Sequence, residues 1–204
     1  IPTGIDDSIF NPANYNREEC REQFLINDSE IAIGILAVLR QFKRHDLFLK
    51  MAKSLIKKYP GKRLVFIIAG NGPQKENIEK IINDLNLAEN VKMVGHINNV
   101  PEFLCAIDIL VLSSDSKEGV PQSVMQGLFM NKPVVSSDSG STRDLFNHNN
   151  FQLIQKGSIE ALINGVSIYL DNMNEVSSRK YMMENFSSSV MVKKIITSYE
   201  KILE

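Results

Sequence analysis

A chain of 204 residues, 43% hydrophobic and 23% charged, lies in the globular range and can bury one substantial core, so residues 1–204 are expected to form a single domain. Lys+Arg 23 against Asp+Glu 24 leaves a net charge of -1, which excludes a global positive field for DNA or RNA. The longest apolar stretch, Ile31 to Leu39, is about half of the roughly 18 residues needed to cross a bilayer, and no lipidation signal is present.

Taken in chain order, short β-branched runs alternate with amphipathic segments. The strands are expected at Ile31 to Leu39, Leu64 to Ala69, Val91 to Val94, Ile109 to Leu112, Pro133 to Ser136 and Phe151 to Ile154, each mostly apolar, as strands buried on both faces are. Leu47, Phe48, Met51, Ala52, Leu55, Ile56 and Tyr59 recur at helical spacing until Pro60-Gly61 stops the helix. Pro73 suits a first helical turn, and Ile78, Ile81, Ile82 and Leu85 supply the buried stripe behind it. Asn147 to Asn150 reads as a turn. Three helices then close the chain: Ser158 to Leu170 with Ser158 as N-cap, Glu175 to Met183, and Ser188 to Leu203. The rhythm predicts an α/β fold: a Rossmann-like, doubly wound parallel sheet of about six strands with helices on both faces and a helical C-terminal end.

In such a sheet ligands bind outside the carboxyl ends of the strands. The residues just past those ends are Arg40, Lys43 and Arg44, then Gly70-Asn71-Gly72, Gly95-His96, Ser113 to Pro121, and Ser136 to Thr142. Loops after strands are polar in any α/β domain, so it is the set, not one loop, that points to a ligand rim. Gly70-Asn71-Gly72-Pro73 lacks the third glycine of a dinucleotide fingerprint, and no Gly-Lys-Ser/Thr follows a glycine loop. With no Asp-x-Asp triplet to hold a divalent ion, no metal and no cofactor are expected, and neutralisation of a phosphate falls to cationic side chains and helix termini.

Glu118-Gly119-Val120-Pro121-Gln122-Ser123-Val124-Met125-Gln126 places a carboxylate and a glycine just before a helix start, with Ser123 as the expected cap and Gln126 one turn further on the same face. The unpaired amides of that helix start favour an anion such as pyrophosphate. Spacing alone leaves open the alternative that Glu118 is a solvated loop acid and Gln126 a surface residue.

At these residues the sequence resembles the retaining GT-B glycosyltransferases of glycosyltransferase family four, specifically their C-terminal, donor-binding domain. The resemblance runs from Ile1-Pro2-Thr3-Gly4-Ile5-Asp6, with Phe10 and Pro12, to the terminal helix carrying Tyr199. It is strongest over Glu118-Gly119-Val120-Pro121 to Gln126, then Lys132-Pro133-Val134-Val135, Ser137-Asp138 and Gly140. The Ala69-Gly70-Asn71-Gly72-Pro73 turn and the Asn90-Val91 to Val94-Gly95 strand fall in the same order.

The resemblance implies transfer of a hexosyl unit from a nucleoside diphosphate sugar to an acceptor hydroxyl, retaining and metal-independent, in glycan or surface polysaccharide synthesis. Glu118 matches the acid placed against the donor sugar, and the backbone from Gly119 through Val120 and Pro121 to Gln122 holds sugar hydroxyls and phosphate. The helix terminus at Ser123 stabilises the departing charge with Lys43, which matches the diphosphate lysine, and Gly95-His96-Ile97 matches the nucleobase loop. Gln126 stands where the family has a second glutamate, which costs a charge yet keeps an acceptor and adds a donor for ribose. Val38 replaces an arginine, so Arg40, which comes directly after the strand, is expected to supply the second cation. Asp144 and Gly140-Ser141 are further departures.

The acceptor would belong to an N-terminal domain outside this chain, together with any peripheral membrane contact; the chain opens at Ile1 without an initiator methionine, and a preceding segment is expected. Two other readings compete: a non-catalytic interaction subunit, motivated by Val38 and Gln126, and a GT-B nucleotide-sugar epimerase. His45, His96 and His148 have no metal spacing, and His45 reads as a helix-start residue. Cys20 and Cys105, far apart in sequence, fit a reducing, cytoplasmic setting, with Cys105 a small core hydrophobe.

Overall fold

The computed structural model describes residues 1–115, 119–146, 151–172 and 177–203. The expected turn at 147–150, including His148, lies outside them. Six strands, β1 (Glu30–Leu36), β2 (Arg63–Ala69), β3 (Val91–Gly95), β4 (Ile109–Leu112), β5 (Val134–Ser137) and β6 (Gln152–Ile154), form one parallel sheet in the order β3-β2-β1-β4-β5-β6. The α/β, Rossmann-like reading stands. Counted outward, β1 to β3 run one way and β4 to β6 the other, so the order reverses between β1 and β4.

Alternation along the strands divides the core in two, as period-2 geometry requires. Ile33 and Ile35 of β1, Leu64, Phe66 and Ile68 of β2, and Ile109 and Val111 of β4 face α2 (His45–Lys58), α3 (Lys75–Asp84) and α6 (Ile159–Asp171). Ala32, Val65, Ile67, Ala69, Leu110 and Leu112 face the other way, onto α4 (Val100–Ala106) and α5 (Gln122–Phe129), with α1 (Arg17–Gln23) and α7 (Arg179–Phe186) behind them. Gly34 lets α4 approach: a Cβ there would lie 2.9 Å from both Ile107 Cδ1 and Phe103 Cζ.

Several expected boundaries move. β1 ends at Leu36, because Ala37 to Leu39 turn away to pair with the β2 loop through Ala37 N to Ala69 O and Leu39 N to Asn71 O, both 3.0 Å. Pro73 lies outside α3, which starts at Lys75 with Gln74 at the N-cap position. The expected helix over 175–183 is α7 at Arg179–Phe186, and 173–176 lie outside the described residues. Ser158 does cap α6, its hydroxyl accepting from Ala161 N at 3.1 Å, and α8 (Ser188–Leu203) has the expected bounds. Cys20 and Cys105, distant in sequence, are buried neighbours between α1 and α4; burial, and then the adjacent Cys105, push the Cys20 thiol up to about 12.

Arg21 of α1 ties the lower rim together. Its buried guanidinium donates to Ala106 O at 3.1 Å, Asn27 O at 2.6 Å, Glu30 O at 2.7 Å and Asp108 Oδ2 at 3.3 Å. Lys132 donates to Cys105 O and Ile107 O nearby, and burial, with Arg17 adding, pushes its ammonium down to about 8. No helix among the described residues is long and apolar enough to cross a membrane.

Candidate functional site

Neighbouring strands whose connections depart in opposite directions leave a crevice between them, and in doubly wound sheets that crevice takes the ligand. The strand order puts that switch point at the carboxyl ends of β1 and β4. The β1 loop carries Arg40 and Lys43; the β4 loop runs through Ser113, Ser114 and Asp115 toward Glu118. Glu118 itself lies outside the described residues, between Asp115 and Gly119.

The two loops are joined backbone to side chain. Ser113 Oγ donates to Lys43 O at 2.9 Å and to Arg44 O at 3.0 Å, while Phe42 O accepts from Ser114 Oγ at 3.1 Å and from Asp115 N at 3.0 Å. Ser113 and Ser114 are buried, so these carbonyls are satisfied by small hydroxyls instead of water. Arg44 adds charge: Nε and Nη2 bind Asp46 at 2.9 and 3.1 Å, and Nη1 binds Asp115 at 2.8 Å. The Asp46 hydrogen bonds, and after them those to Asp115, push the Arg44 guanidinium further up, so it stays charged.

Gln41–Lys43 forms one 3-10 turn, and Lys43 Nζ lies 5.3 Å from the centre of the Phe42 ring. Arg40 is exposed and its side chain makes no hydrogen bond or ion pair with the described residues, whereas Arg44 is held by two carboxylates. Val38 is 51% exposed. A cleft of about 620 Å³ lies on the flank of this loop, walled by Arg40, Phe42, Arg44, His45, Gln74 and Asp115, and Lys43 is not among its walls.

Gly70-Asn71-Gly72 supports the β1 loop from below. Gly70 has φ 140, and a Cβ there would stand 2.0 Å from Ala37 O; at Gly72 it would stand 2.8 Å from Leu39 O. Gly70 N donates to Gly95 O at 2.7 Å, which joins the β3 loop to the same rim. Beyond it His96 is exposed and Ile97 packs partly on the core.

The expected cap of α5 is corrected. Pro121 occupies the N-cap position at φ -71 and ψ 114, Ser123 is the second helical residue, and no side chain caps the helix. Proline's fixed φ allows the extended turn into the helix and leaves the serine hydroxyl beyond reach of a cap geometry. Among the described residues the first amides of α5 have no side-chain cap, and uncapped helix starts are where anions are generally held. Gly119 and Gln122 are exposed, Val120 and Gln126 half-buried, and a Cβ on Gly119 would meet nothing within 4 Å. Asp144 lines a second cleft, of about 570 Å³, with Val120, Ser141 and Lys194.

His45, the first residue of α2, is 3% exposed, and neither ring nitrogen has a hydrogen-bond partner among the described residues. Burial, with Lys43 adding, pushes it down to about 4. Arg44, Asp115 and the two serines are the parts that join the loops, and their joining role does not show in the sequence; the one local signal is an arginine where the backbone turns left-handed, at φ 53.

A family model described as Glycosyl transferases group 1 matches residues 16–187, which includes every element from α1 to α7. The chain belongs to that family. Within the group 1 family it is 26% identical over 206 residues, 98% of this chain and 53% of the relative, to the Escherichia coli UDP-Gal:alpha-D-GlcNAc-diphosphoundecaprenol alpha-1,3-galactosyltransferase. Its fold matches a glycosyltransferase from Rickettsia africae with TM-score 0.91 at 18% identity, over 100% of this chain and 57% of that one. It also matches Anabaena HepE in complex with UDP and glucose, with TM-score 0.86 at 16% identity, over 97% and 55%. The chain spans between about a quarter and about half the length of the curated relatives it matches.

Proposed function

We propose that this group 1 chain is the donor-binding half of a retaining, metal-independent glycosyltransferase that moves a hexosyl unit from a nucleoside diphosphate sugar to an acceptor hydroxyl in surface glycan synthesis. The observation that carries the proposal is the adjacency of β1 and β4, whose following loops, one carrying Lys43 and the other Ser113 to Asp115, meet at the switch point of the sheet. The relative that uses UDP-Gal and the similar fold that holds UDP and glucose support a nucleotide-sugar in that place.

In this reading, departure of the diphosphate concentrates negative charge that Lys43, Arg40 and the α5 amides stabilise. Fixed cations and amides need no reorganisation as the charge develops, and they do the neutralising that a divalent ion does elsewhere. Glu118 holds the sugar, Gly119 to Gln122 contact its hydroxyls and the phosphates, Gln126 engages the ribose, and His96 and Ile97 border the base. The leaving diphosphate receives the acceptor proton, so this half supplies no general base. The acceptor is bound by a domain outside this chain.

The second reading, a non-catalytic subunit, is favoured by Val38, an exposed apolar side chain where the resemblance calls for an arginine. One experiment separates them: Lys43→Ala and Glu118→Ala in the full-length protein, assayed for transfer and for release of free sugar from donor. Loss of both activities with an unchanged unfolding midpoint fits the enzyme. Wild-type rates in both variants, or no turnover by the wild type with any nucleoside diphosphate sugar, fit the subunit.

A further inference from the structure

We infer that Arg44 is a positioning residue for the donor, locking the Lys43 loop to the Asp115 segment so that both walls of the crevice keep one spacing; the inference rests on Lys43 being a donor contact. A planar guanidinium can serve two carboxylates at once, and Arg44 does so, with Asp46 at 2.9 and 3.1 Å in the first turn of α2 and Asp115 at 2.8 Å on the loop after β4. Its backbone sits at φ 53, ψ 46, a region that ordinarily favours glycine. An arginine in a position that suits glycine points to a role for the side chain.

The residue before it is Lys43, whose carbonyl, like those of Phe42 and Arg44, is already tied to the β4 loop. The ion pair completes that clamp on the side-chain face. It also neutralises Asp115, whose carboxylate would otherwise stand on the rim that receives a diphosphate and repel it. Breaking the pair should therefore weaken donor binding twice over, through a looser Lys43 and an uncompensated acid.

The test uses the full-length protein with a nucleoside diphosphate sugar that the wild type turns over, and reads donor KM, kcat and the unfolding midpoint, with donor Kd by calorimetric titration in place of KM for the variants that carry Lys43→Ala and lose turnover. Arg44→Gly relieves the left-handed backbone and so keeps the fold, yet should raise donor KM about tenfold while kcat changes less. Adding Asp115→Asn should recover part of that loss, and Arg44→Lys, which reaches one acid at a time, should fall between. In a Lys43→Ala background Arg44→Gly should have little further effect, the non-additivity expected of residues acting through one loop. An unchanged KM in Arg44→Gly, or the same rise with and without Lys43, overturns the inference. If Lys43→Ala alone leaves donor Kd at the wild-type value, it is the donor-site reading that fails, and the role of Arg44 falls with it.

Discussion

Ile33 of β1 stands in register with Ile109 of β4, and at that pairing the strand order of the sheet reverses. The consequence is topological before it is chemical. The connections leaving these strands pack on opposite faces, the arrangement that offers a ligand site at the strand ends, while the first stretches of the two loops are tied to each other through Ser113 and Ser114. The chemistry of the rim is then a matter of sequence: Arg40 and Lys43 on one side, Ser113 to Asp115 and the uncapped start of α5 on the other.

His45 makes the stability of this chain sensitive to acid. Its neutral form is favoured in the folded state, with the imidazole down at about 4 against an ordinary 6.5. Below pH 6.5 the unfolded chain takes up a proton that the folded chain refuses until about pH 4, so stability should fall as pH drops through that window, by about 3 kcal/mol at its lower end. His45→Leu should remove this slope and, by deleting two unpaired buried nitrogens, add about 1–2 kcal/mol at pH 7. Urea unfolding at pH 7 and pH 5 checks both statements; equal pH slopes in the two proteins would contradict them.

Arg21 should be among the most costly residues to truncate. Arg21→Ala strips the carbonyls of Ala106, Asn27 and Glu30 of a donor and leaves Asp108 with fewer partners. A loss of about 3–5 kcal/mol is expected by urea unfolding, as for a buried charge network broken from one side. A loss below about 1 kcal/mol would mean that water replaces the guanidinium there.

Two glycines of the rim should separate folding from binding. Gly70→Ala drives a methyl to 2.0 Å from Ala37 O at φ 140, so the chain should lose folded yield and thermal stability. Gly119→Ala meets nothing within 4 Å and should leave the unfolding midpoint where it is, while reducing nucleoside diphosphate affinity by crowding the ligand side. Calorimetric titration and thermal scans on the pair check this; a stable Gly70→Ala would contradict the support role given to that turn.

Much of the fold was legible because the strands are doubly buried and therefore read as short apolar runs, which give the sheet class. The helices were legible where one face only is apolar, as in α2, whose buried Leu47, Phe48, Met51, Ala52 and Leu55 keep helical spacing. α4 was missed because Phe103, Leu104, Cys105 and Ala106 are all buried, which erases the periodic signal, and α1 because only Cys20 and Arg21 of its mostly polar run turn inward. The cap of α5 was misplaced because proline and serine both suit a helix start and only backbone geometry chooses between them. The candidate rim could be read from the polar and small residues at each strand's carboxyl end, but the Arg44 bridge could not, since it joins residues 71 apart in sequence.

The central claim is that the crevice between the ends of β1 and β4 receives a nucleoside diphosphate. A crystal of the full-length protein soaked with UDP-glucose tests it most directly. The expected result is density with the diphosphate between Lys43 and the first amides of α5, and the sugar on the Glu118 side. Density for the diphosphate elsewhere, with both loops clear of it, would contradict the claim.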